Sequence, residues 1–170
     1  MKFLVTIALA LLLLTLESVL VQQLGLAISR IDVTVVLVAF LALRASMQEG
    51  AWSSFAVGYL LDLMSGQPTG LFTFLAVFTF LVGKLVVKLV DVRGRAAFVL
   101  FAMGADVGHG MLAGFFTWLT TKAGEGPALG VLPGLPLQVM LTGVAAALLY
   151  PLLRRFEVSQ DRNSSAGLLR

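Results

Sequence analysis

Cysteine is absent from all 170 residues, which excludes disulfides, thiolate nucleophiles and cysteine-ligated metals together. Histidine occurs once, at His109, too few for an all-histidine zinc site. Charge is scarce too: Asp, Glu, Lys and Arg make up 12% of the chain, about half their share in soluble domains. Apolar residues fill the gap. At 59% hydrophobic, a chain this short cannot hide its apolar surface from water, because small folds leave much of their surface exposed. The solvent is therefore expected to be lipid, where only helices and closed barrels satisfy their own backbone hydrogen bonds. A barrel would alternate apolar and polar residues in segments of about ten. Here residues 3–16 and 71–82 run almost wholly apolar, so the expected fold is an all-α polytopic transmembrane bundle.

A span needs about 20 residues. The candidates are 3–21, 32–46, 51–65, 71–89, 97–119 and 132–153, with the second and third short and joined through 44–50. Together they form one transmembrane domain over 1–156. A polar tail follows over 157–170, with a disordered tip expected. Lys2 and the apolar run behind it resemble a signal peptide. The run continues to Val21, however, and Leu16-Glu17-Ser18 makes a poor cleavage site, so an uncleaved first helix is expected. Six spans with the N-terminus inside place ten of the twelve basic residues on the cytoplasmic face, leaving only Arg30 and Lys122 outside. Because cytoplasmic loops collect Lys and Arg, both termini are expected to be cytoplasmic.

Ionisable groups in spans are costly, so each prompts a functional question. Asp106 and His109 lie three apart and share a helix face; the pair would suit a proton relay, a ligand site or a buried packing contact. Gly104 and Gly108 form a small-residue step on the opposite face, which implies a fifth helix packed on both sides. Glu17 would meet Arg30, Gln138, a partner helix or the outer interface. Lys84, Lys88 and Asp91 share a face of the fourth helix, and the lysines can snorkel to the inner surface. With Arg93, Arg95, Arg154 and Arg155 they make a basic cytoplasmic rim suited to anionic membrane lipids. Asp62 ends a short apolar run before the turn signalled by Gly66 and Pro68, where it would cap, tie down loop amides or meet a partner's cation.

No phosphate-cradling loop, metal-ligand cluster or nucleophile beside a base can be read from the chain, so no catalytic residue, cofactor or metal is expected. Nucleic-acid binding would need a basic domain facing water, and none is present.

The stretch from Ile31-Asp32 to Leu41-Ala42-Leu43-Arg44 resembles the second-helix signature of the rod shape-determining protein MreD family. Gly58-Tyr59-Leu60-Leu61-Asp62-Leu63-Met64-Ser65-Gly66 is similar to the same family, as are the Pro68, Gly70 and Gly83 that follow. The ending Leu148-Leu149-Tyr150-Pro151-Leu152-Leu153-Arg154-Arg155 looks like that family's last helix and basic exit. The likeness covers 31–85 well and 140–156 fairly, but 96–130 in hydropathy alone. Ile31 departs from it, since the family often has proline before the acidic residue. The resemblance implies a non-catalytic inner-membrane scaffold of the bacterial cell-elongation machinery. Its implied partner is MreC. Through MreC it would connect MreB filaments to a RodA-type glycosyltransferase and a class B penicillin-binding protein, and so to peptidoglycan synthesis and cell shape. A groove left by the short second and third helices is expected to admit the partner's transmembrane helix.

The family is also similar in fold to the substrate-capturing subunits of energy-coupling-factor transporters. The alternative is therefore a small-molecule-binding transporter subunit, with Glu17, Gln22, Gln23, Asp62, Gln67 and Gln138 near an outward pocket. A proton-linked or lipid-acting membrane enzyme built on Asp106 and His109 is the third reading.

Overall fold

The computed structural model describes residues 7–16, 32–64, 70–90, 92–120 and 135–167, giving the backbone alone at 117, 118, 120, 135 and 156–167. Six helices occupy these residues: α1 (Ile7–Leu16), α2 (Val33–Arg44), α3 (Met47–Met64), α4 (Leu71–Leu89), α5 (Gly94–Thr120) and α6 (Leu135–Gly167). No strand occurs among the described residues.

The sequence of α2 explains its place. Val-Thr-Val-Val-Leu-Val-Ala-Phe-Leu-Ala-Leu carries no charge until Arg44, and a helix that is apolar all round belongs inside. Val33 to Ala39, Leu41 and Ala42 are all buried, and α2 packs against α3, α4, α5 and α6. The valines disfavour a helix intrinsically, so enclosure by neighbouring helices stabilises this one. Its 12 residues reach about 18 Å, well short of a hydrocarbon core of about 30 Å.

Three helices are long and apolar enough to cross a membrane: α4, Gly94–Phe116 of α5 and Pro136–Arg155 of α6. Their mean hydropathies are 2.0, 1.5 and 1.6. α3 has 18 residues but is diluted by Gln48, Glu49, Ser53, Ser54 and Asp62. It pairs closely with α4 at Gly58, where a Cβ would stand 2.6 Å from Thr73 Cα and 2.7 Å from the Phe72 carbonyl oxygen. Glycine is what lets these backbones meet. α5 and α6 form the second close pair. Phe98, Ala102, Ala146 and Tyr150 join Val36 and Ala39 of α2 in one core cluster. Ala10 and Leu13 bring α1 to Val33, Leu37, Val57 and Leu153 in another.

Two expected boundaries are corrected. The link between the second and third helices is only Ala45 and Ser46, not 44–50. Ser46 Oγ accepts the Glu49 N–H at 3.3 Å, so a Ser-x-x-Glu start opens α3 at Met47. The last helix, expected to end at 153, continues as α6 through the polar tail to Gly167, while the tip at 168–170 lies outside the described residues. Pro151 lies inside that helix; membrane helices tolerate such prolines because neighbouring groups can satisfy the freed carbonyl.

Candidate functional site: buried polar bonds between helices

Asp62 is 2% exposed and reaches from α3 to the start of α4. Its Oδ1 accepts the Phe72 N–H at 3.2 Å, and its Oδ2 accepts the Thr73 N–H at 2.9 Å as well as the Thr73 hydroxyl. The first N–H groups of a helix lack intrahelical partners, and a carboxylate there also meets the positive end of the helix dipole. The residue at the N-cap of α4, Gly70, has φ of 71° and no side chain, so Asp62 supplies the cap from the preceding helix.

A second cluster ties four helices. Asp32 caps α2 by accepting the Val35 N–H on Oδ1 at 3.0 Å, and its own N–H donates to Thr142 Oγ1 of α6 at 3.3 Å. His109 of α5 is buried between this carboxylate and α4. Its Nε2 lies 3.7 Å from Asp32 Oδ2 and its Nδ1 lies 3.1 Å from Thr79 Oγ1. Asp106, fully buried one turn earlier, accepts on Oδ1 from Gln138 Nε2 of α6 at 2.9 Å. Asp106 and His109 thus share a buried stretch of α5 but bond to different neighbours. Nothing in the spacing of Asp106 and His109 points to Asp32, Thr79 or Thr142 as members of this cluster. An acidic residue just before an apolar run is an N-cap signal, and it is the feature by which Asp32 could be found. Single threonines within apolar helices carry no comparable signal.

Lys84 departs from the expected basic rim. It is half-buried, and its Nζ donates to the Ala45 carbonyl at the end of α2 and sits 5.9 Å from the Phe80 ring centroid. The reason is local: the last carbonyls of α2 need donors, and a cation is favoured at a helix C-terminus. Lys88, Arg93, Arg95, Arg154 and Arg155 remain exposed.

Gly104 and Gly108 also differ from expectation. A Cβ added at either would meet nothing within 4 Å, so this face of α5 is not packed. It borders an open groove between α4 and α5. α2 is enclosed by four neighbours, so the groove expected to be left by the short second and third helices does not run along the side of α2. Glu17, Gln22, Gln23, Arg30, Gly66, Gln67, Asp91 and Lys122 lie outside the described residues. No group of three or more His, Asp or Glu placed to hold a metal ion occurs among the described residues.

Compared with family models, curated proteins and solved structures, the chain matches none.

Proposed function

We propose that the protein is a non-catalytic membrane scaffold of the bacterial cell-elongation machinery, an MreD-like partner of MreC. It would sit in the inner membrane as a six-span bundle with both termini in the cytoplasm. One observation carries this reading. Asp62, Lys84, Asp106 and His109 each bond to a group on another helix or at its end, so the costly groups of the bundle serve helix-to-helix adhesion. The two stretches that bear the family likeness most clearly supply the central helix and the Asp62 cap.

A scaffold needs a lateral surface. Trp52, Phe55, Tyr59 and Leu63 recur at helical spacing along α3 and are 66%, 46%, 51% and 53% exposed. The ring centroids of Phe55 and Tyr59 lie 6.4 Å apart with the planes 2° from parallel. This aromatic face is the surface offered to the partner's transmembrane helix. Aromatic side chains give large contact area at low entropic cost, as partner surfaces require.

The test is photo-crosslinking in native membranes, with the probe placed at Phe55 or Tyr59 and, as a control, at Met111 of α5. Recovery of MreC from the α3 positions supports the reading. Recovery from Met111 alone would move the contact to another helix. Capture of membrane transport subunits with paired ATPases in place of MreC would replace the scaffold with the transporter reading.

A further inference from the structure

Two cavities meet where α4 passes into α5. The first, about 440 Å³, is bordered by Arg44 at the end of α2, Arg93 just before α5, and Arg154 and Tyr150 of α6. The second, about 540 Å³, is a trough between α4 and α5 walled by Phe78, Val86 and Leu100, with Gly104 and Gly108 along its floor. Val90 and Val92 line both, so the cationic mouth and the apolar trough are continuous.

The dimensions select the occupant. From Ala97 to Leu112 the trough follows about four turns of α5, roughly 22 Å. One leaflet's share of a hydrocarbon core of about 30 Å is about 15 Å, so the trough accommodates a leaflet's depth of chain. Its length and its apolar walls suit a hydrocarbon chain lying along it.

The mouth selects the headgroup. Guanidinium forks match phosphate oxygens, and three of them converge here from three separate parts of the chain. Arg44 and Arg93 also interact within the protein, but five donors on each guanidinium leave capacity for a ligand. The opening turn of α5 begins at Gly94, with φ of 89°, and Gly94 lines this cavity, adding the positive end of a 27-residue helix.

We propose that the two cavities form one stoichiometric site for an anionic phospholipid, its phosphate in the arginine mouth and an acyl chain in the α4–α5 trough. This differs from diffuse attraction of a basic rim to an anionic leaflet, because it is saturable and needs both halves. It does not rest on the scaffold reading and can hold or fail separately.

Native mass spectrometry of the full chain, with phosphatidylglycerol and phosphatidylcholine as probes, tests it. The expected result is one phosphatidylglycerol retained per chain in preference to phosphatidylcholine. Arg154→Gln should weaken retention about fivefold to tenfold by removing a charge-assisted contact. Gly108→Leu should weaken it comparably by filling the trough. Arg154 and Gly108 are both exposed, so neither variant threatens folding. Wild-type retention in both variants overturns the site. Displacement by millimolar inorganic phosphate as readily as by short-chain phosphatidylglycerol would also overturn it, since the tail would then contribute nothing.

Discussion

Nε2 of His109 stands 3.7 Å from Oδ2 of Asp32, so the imidazole of α5 faces the carboxylate that caps α2. On its other side Nδ1 meets Thr79 Oγ1 of α4 at 3.1 Å. The geometry suits a proton on Nε2 directed at Asp32, with Nδ1 accepting the threonine hydroxyl. One ring therefore links three helices.

His109→Ala is expected to destabilise the protein by about 1–3 kcal/mol, because the buried Thr79 hydroxyl loses its partner and the missing ring leaves space between α4 and α5. Thr79→Val should cost about 1 kcal/mol, and the two changes together less than their sum, since they share a bond. Thermal unfolding in detergent checks this. Under the scaffold reading His109→Ala should leave partner recovery intact at permissive temperature.

Asp62→Ala removes the side-chain cap of α4 and leaves two N–H groups without their acceptor. A loss of about 2–3 kcal/mol is expected in the same unfolding assay. Asp62→Asn keeps one acceptor oxygen and should fall between Ala and the native residue. Equal stability of all three would mean that the cap contributes nothing.

Glycines in different helices should respond in opposite directions. Gly58→Ala forces apart α3 and α4, because the new methyl meets the Thr73 and Phe72 backbone, and should cost about 2–3 kcal/mol. Gly104→Ala enters open space in a helix interior and should stabilise by about 0.5–1 kcal/mol. Midpoint shifts of opposite sign are the expected readout.

Asp106 presents Oδ1 to Gln138, while Oδ2 has no hydrogen-bond partner among the described residues. Asp106→Asn keeps an acceptor for Gln138 and introduces no buried charge, so it is expected to match or exceed native stability. Asp106→Ala loses that bond and leaves space, with an expected cost of about 1–3 kcal/mol. A large loss in the Asn variant would assign the carboxylate a task beyond packing.

How much of this is legible in the sequence differs from residue to residue. Asp62 announces a helix end by standing before Gly66 and Pro68, and its position at the close of α3 follows that signal. Its hydrogen-bond partners do not follow, because Phe72 and Thr73 belong to the next helix. Asp106 and His109 can be placed on one helix face by their spacing. Their division between α6 on one side and α2 with α4 on the other requires the packing. Lys84 misleads for the same reason: a lysine near a helix end reads as a rim residue until another helix ends beside it.

The sequence by itself determined that the described residues fold as helices, three of them suited to lipid, because apolar runs and missing charge are local and additive properties. Tertiary structure alone decided that α2 is enclosed, and that Gly58 is clamped while Gly104 and Gly108 face open space. It also decided that arginines from three parts of the chain share one cavity. Each of these depends on which helix lies beside which, and in lipid that choice is made by close packing and by a few buried polar bonds. Hydrophobicity, which the long helices share, does not encode it.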